Sequence, residues 1–140
     1  MRSPGTHLEF DLDQAKEAGE KNPVFYLQYA HARIHSILRK SDAPSTAALG
    51  LLVHPSELAL LKTLVDFPEA IRSAAQSKEP HRLINHLNDL ATGFHRFYHD
   101  CRILGEAPDL AGARTALLHA VARVMRNGLT ILGISAPERM

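Results

Sequence analysis

The sequence predicts an all-α domain, a helical bundle of four or five main helices around one core. Three observations carry that reading. Apolar residues recur in steps of four and three from Leu83 through Leu87, Leu90, Phe94 and Phe97 to Cys101, drawing one stripe down a helix. Helix starts and stops are marked at Asn22-Pro23, Pro55, Pro80 and Gly133. No run alternates apolar and polar residues for long enough to make a convincing strand.

Taken in order, residues 1–10 read as a leader or linker and residues 11–140 as one helical domain. Residues 11–20 suit a short acidic helix ending near Gly19. Asn22 caps the next helix, and Pro23 takes its first position, where a missing N–H costs nothing. This helix should run to about Lys40, with Leu27, Ala30, Ile34, Ile37 and Leu38 turned to the core. Residues 41–45, with Pro44, make a turn or loop, and residues 46–53 are part loop, part short helix. Pro55 starts a helix whose apolar set is Leu58, Leu61, Leu64 and Val65. Asp66-Phe67-Pro68 breaks it, and residues 69–76 add a further turn or two. Pro80 opens the striped helix, which places Phe94 and Phe97 in the core and leaves Tyr98 open. After a loop over 105–109, Asp109 caps a last long helix carrying Leu110, Ala113, Leu117, Val121, Val124 and Leu129. Gly133 ends it, and Pro137 prevents its return.

A chain of 140 residues is long enough for one domain with its own core. With 45% hydrophobic and 22% charged residues it has the balance of a soluble globular protein. Its longest apolar runs, such as residues 47–53, fall far short of a membrane span. No apolar signal-peptide segment follows Met1-Arg2-Ser3-Pro4-Gly5. Cys101 is the only cysteine, which excludes a disulfide within the chain and fits a reducing, cytoplasmic setting.

The net charge of +1 does not announce a nucleic-acid binder, but its distribution is uneven. Residues 1–20 carry −3, residues 21–40 carry +4, and residues 110–140 carry +3. Two locally basic segments suit a localised anionic partner; solvated basic faces produce the same pattern.

The stretch from Asn22 to Ile34 is the most informative. At 100° per residue, Tyr26, Tyr29, Arg33 and Lys40 fall within an arc of roughly 60°. Two rings and a guanidinium side by side are what a protein needs to hold unstacked bases. The same residues suit a core rim and a surface ion pair, so the pattern alone leaves both open. Arg123 and Arg126 lie on the polar side of the last helix, with His119 and Thr130 on the same stripe. They suit stem phosphates or an ordinary solvated face. His31 and His35 share a face, but the segment lacks the glutamate of a zinc-protease helix, and Arg33 would oppose a cation. No metal site is expected; helix-surface and cap positions account better for the nine histidines.

Several segments resemble arginyl-tRNA synthetases in order and spacing. They are His7-Leu8-Glu9-Phe10-Asp11-Leu12-Asp13, the stretch from Asn22 to Arg39 with its Tyr-Leu-Gln-Tyr-Ala-His-Ala-Arg run, Ala91-Thr92-Gly93-Phe94-His95-Arg96-Phe97-Tyr98, and Asn127-Gly128-Leu129 through Leu132-Gly133-Ile134 to Pro137-Glu138-Arg139-Met140. The resemblance covers nearly the whole chain. It is to the C-terminal helical anticodon-binding domain named after the residues Asp-Ala-Leu-Arg. The His-Ile-Gly-His-like and Lys-Met-Ser-Lys-Ser-like motifs of class I synthetases do not occur in the chain. The resemblance therefore implies a fragment of a longer enzyme, with residues 1–10 leading in from a missing catalytic core.

On that resemblance the intact enzyme joins arginine to its tRNA with ATP and magnesium, through an arginyl-adenylate whose formation requires bound tRNA. The fragment itself is expected to need no cofactor, to do no chemistry, and to bind the anticodon stem and loop, the middle cytosine being the main identity base. Tyr26 and Tyr29 would meet splayed bases, Arg33 a phosphate or base edge, and Met140 would sit near the loop. Lys40, Arg123 and Arg126 complete the expected tRNA-binding set. The expected partners are the arginine tRNA and the catalytic domain, with no membrane, in a cytoplasmic monomer. Two rival readings remain: a helical protein-interaction bundle with the tyrosine face as hot spot, and the anticodon domain of another such synthetase (cysteinyl, methionyl or glycyl). No nucleophile elbow is present to support a hydrolase.

Overall fold

The structure is a computed structural model that describes residues 22–41 and 48–140. The described residues form five α-helices, α1 Pro23–Leu38, α2 Pro55–Val65, α3 Phe67–Ser77, α4 His81–Asp100 and α5 Pro108–Ile131, with a 3-10 turn at Leu49–Leu51 before α2. There is no strand among the described residues. The expected leader over 1–10, the acidic helix over 11–20 and most of the 41–45 loop lie outside them.

α4 is the central helix and touches each of the other four. Its expected stripe is its buried face: Leu83, Leu87, Leu90, Phe94, Phe97 and the following Cys101 are all sequestered. Leu27, Ala30 and Ile34 of α1 and Leu117, Leu118, Val121, Met125 and Leu129 of α5 close the same core. α4 and α5 approach closely at Gly128, where an added Cβ would lie 2.6 Å from Leu87 Cδ2. Only glycine leaves room for that leucine.

The helix ends follow local chemistry. The Asn22 side chain accepts from the Val24 N–H at 3.0 Å, with Pro23 in the first turn as expected. α1 stops at Leu38, and Arg39 and Lys40 form a closing turn. Gly133 takes a left-handed φ of 71°, which lets Ile134 N–H reach back to the Leu129 carbonyl and end α5.

Three expectations need correction. Asp109 does not cap α5; Ala107 holds that position and Asp109 lies in the first turn, where its charge favours the helix dipole. α3 begins two residues earlier than expected, at Phe67, because Asp66 is itself helical and couples α2 to α3. On α2 the core residue is Leu60, fully buried, whereas Leu58 and Val65 are exposed and Leu61 and Leu64 only partly covered. Apolar residues at 58, 60, 61, 64 and 65 surround much of that helix, so spacing alone could not choose the face.

α2 meets α5 through a buried charge cluster. Glu57 Oε2 accepts from its own cap's N–H at His54, 2.8 Å, completing a capping box. Its other oxygen, Oε1, accepts from Arg114 Nε at 2.6 Å. Arg114 also donates to the Arg102 carbonyl and to Glu106. Arg114 belongs to the basic segment over residues 110–140, but its charge is spent inside the fold.

Candidate nucleic-acid interface

The outward face of α1 is built from residues one turn apart. Tyr26 is half-buried, its ring tilted against His95 of α4 with centroids 5.8 Å apart. One turn on, Tyr29 stands out at 42% exposed. One further turn brings Arg33, whose Nη1 donates to the Tyr29 hydroxyl at 3.2 Å. The Arg33 guanidinium also lies 5.5 Å from the centre of the Tyr98 ring, which stacks on buried Phe94. Tyr29 and Arg33 thus hold each other, and Tyr98 fixes the guanidinium from the side.

Two grooves flank this ridge. The first, of about 670 Å³, is lined by Phe25, Tyr26, Tyr29, Arg33 and His95. The second, of about 410 Å³, is lined by Tyr29, Ala32, Arg33, Ser36, Arg39, Arg139 and Met140. Tyr29 and Arg33 line both. Burial pushes the His95 pKa down and the neighbouring Arg33 charge adds to this, so at neutral pH its ring is uncharged, with one donor and one acceptor.

The second groove exists because the chain after α5 turns back along α1. Gln28 Nε2 donates to the Ser135 carbonyl at 3.0 Å, His31 Nδ1 to the Pro137 carbonyl at 2.8 Å, and Arg39 Nη1 to the Glu138 carbonyl at 3.2 Å. Arg126 of α5 grips the Glu138 carboxylate, and His35 lies 3.9 Å from it. Burial is the largest cause holding both histidines below the usual range, and Arg126 adds to it in each. His31 and His35 together form a seat for Pro137 and Glu138. No group of three or more potential metal ligands occurs among the described residues.

Of the residues expected at the site, Tyr26, Tyr29, Arg33 and Met140 come together. Lys40 is exposed at the end of α1, outside both groove linings, and Arg123 is exposed on α5 with no ion-pair partner among the described residues. Arg126 is committed to Glu138. The sequence reading missed Phe25, Ser36, Arg39, Arg139 and His95 as lining residues. His95 was accessible to it: one residue off the Phe94 stripe position, it must face the edge of the core.

The model of the DALR anticodon binding domain matches residues 27–140. The chain belongs to that family. Over its full length the DALR domain is 53% identical to an arginine–tRNA ligase of Salinibacter ruber and 48% identical to one of Geobacter metallireducens, covering 26% of each. It spans about a quarter of the length of the curated relatives it matches. Among solved structures, it superposes on an arginyl-tRNA synthetase from Campylobacter jejuni with a TM-score of 0.86 at 27% identity, covering 99% of this chain and 31% of that one. For the Thermus thermophilus arginyl-tRNA synthetase the TM-score is 0.74 at 37% identity, covering 94% of this chain and 23% of that one. No described helix of the DALR domain is long and apolar enough to cross a membrane.

Proposed function

We propose that this chain is the anticodon-reading part of an arginine–tRNA ligase and that the α1 face is where it meets the anticodon loop. The observation that carries the reading is the Tyr29–Arg33 ridge, an exposed ring bonded to a guanidinium, with a groove on each side. Flat side chains beside open grooves suit bases pulled out of their stack, and the cations suit the phosphates between them.

The chemistry follows from the bonds already made. The Tyr29 oxygen accepts from Arg33, so its own proton is free to donate to a phosphate or a base acceptor. Arg33 keeps further N–H donors for a phosphate or base edge. In the first groove, neutral His95 offers a donor and an acceptor beside the Tyr26 ring, which suits a base edge. In the second, Arg39 and Arg139 suit the backbone. The middle anticodon cytosine is the base expected to be read. In the whole ligase, the remainder of the enzyme supplies the chemistry that joins arginine to tRNA with ATP and magnesium. This domain contributes tRNA selection and placement, acting in the cytoplasm and partnered by the catalytic domain.

The test is a titration of labelled arginine tRNA with the 140-residue chain at two salt concentrations, with a tRNA changed at the middle anticodon base as control. The expected result is weak, micromolar or poorer, salt-sensitive binding that prefers the native anticodon. Equal binding to both tRNAs would reduce the face to a basic RNA surface. A salt-insensitive complex with a protein and none with RNA would favour the interaction-bundle reading.

A further inference from the structure

Residues 134–140 carry no helical pattern, yet they lie along α1 instead of leaving the domain. What holds them is a row of α1 side chains and the residue that caps it. Gln28, His31, His35 and Arg39 recur at steps of three, four and four, the spacing of one helix face. Three of them donate to main-chain carbonyls, at Ser135, Pro137 and Glu138. Gln28 Nε2 also donates to the Ser135 hydroxyl at 2.9 Å, but the other two bonds go to carbonyls that every residue has, so the row fixes the path of this strap, residues 134–140, largely through its backbone.

The strap is also held from its own side. Ile134 and Ala136 pack on the core, and the Glu138 carboxylate is gripped by Arg126 of α5. At the centre is His31, fully buried, with its Nδ1–H on the Pro137 carbonyl. Three residues beyond that carbonyl the chain reaches Met140, which with Arg139 lines the second groove opposite Ala32 and Ser36.

We propose that His31, with Gln28, is a positioning residue for the RNA-binding face: through the strap carbonyls it holds Arg139 and Met140 as the far wall of the second groove. This rests on the reading of that face as an RNA site. His31 touches no RNA. It keeps the groove formed before RNA arrives, so ordering the strap does not weaken binding.

The test labels the methionine methyls with 13C and assigns Met140 by Met140→Leu. It compares the native chain, His31→Leu, His31→Asn, the surface variant Gln28→Ala, and a chain ending at Glu138. Each is also titrated with an RNA stem-loop bearing the arginine anticodon. His31→Leu should move the Met140 methyl to its free-chain position and weaken RNA binding about tenfold, as much as removing Arg139 and Met140 does. Combining the two changes should weaken binding no further. His31→Asn, whose amide nitrogen can stand where Nδ1 stood, should restore both signals. Gln28→Ala removes both bonds to Ser135 without touching a groove residue and keeps the test readable if His31→Leu does not fold. The proposal is overturned if the methyl stays in place in both His31→Leu and Gln28→Ala, or if it moves while RNA affinity holds. A native chain that binds no RNA would instead sink the functional reading and the positioning role with it; the methyl would then report only whether the strap is held.

Discussion

Arg33 and Arg114 are the same side chain in opposite settings. Arg114, 7% exposed, is enclosed by Glu57, Glu106 and the Arg102 carbonyl. Arg33 has only neutral partners, the Tyr29 hydroxyl and the Tyr98 ring, and pairs with no carboxylate among the described residues. One region spends its charge joining α2 to α5. The other keeps its charge available to an anionic ligand. A count of basic residues along the chain cannot separate the two. Of the positive charge over residues 110–140, Arg114 and Arg126 are neutralised by Glu57, Glu106 and Glu138, whereas Arg139 faces a groove.

The difference implies that changes in the first region should act on stability and changes in the second on binding. The largest effect is expected at Glu57. Glu57→Ala leaves Arg114 buried beside a vacated partner position and removes the capping box, at a cost of about 3–5 kcal/mol in urea unfolding. Replacing both Glu57 and Arg114 by apolar residues of similar size should recover most of that loss, because the desolvation of two charges goes with them. Close behind is Leu87→Ala, which empties the centre of the α4 stripe beside Gly128 and should cost about 2–5 kcal/mol. A loss under about half a kcal/mol would contradict this placement of the core.

A smaller effect should appear with pH. Burial, the largest cause in each case, holds His31, His35, His86 and His95 below the ordinary histidine value. Arg126 reinforces this at His31, His31 and two arginines at His35, and Arg33 at His95, while Glu138 opposes it at the first two and Asp89 and Asp66 at His86. Neutral in both folded and unfolded chains, these groups leave stability flat above about pH 6.5. Below it the unfolded chain takes up protons that the folded chain refuses, so stability should fall as pH drops towards the folded-state values. Urea midpoints from pH 8 to pH 5 would check this, and a rise on acidification would contradict it.

Much of the fold was legible because it is written in local signals. Asn22-Pro23 begins a helix, the stripe from Leu83 to Cys101 buries one, and Gly133 ends one. What escaped was set by contacts between distant residues. Glu57 and Arg114 are 57 positions apart, and nothing near either one announces the other. The strap has no periodicity to read, and its histidine partners on α1 read only as helix-surface or cap positions. At the site, Tyr29 and Arg33 were visible as a helix face, but the second groove was not. Its far wall comes from residues more than 100 positions away, brought there by carbonyl bonds that any sequence could accept.

The measurement that bears most directly on the central claim uses one variant and two readings. Tyr29→Ala removes an exposed ring and no core contact, so thermal unfolding should be unchanged within the error of the experiment. Its affinity for the arginine anticodon stem-loop should fall by about 1–3 kcal/mol. A drop in melting temperature with unchanged RNA affinity would place Tyr29 in the scaffold and contradict the account.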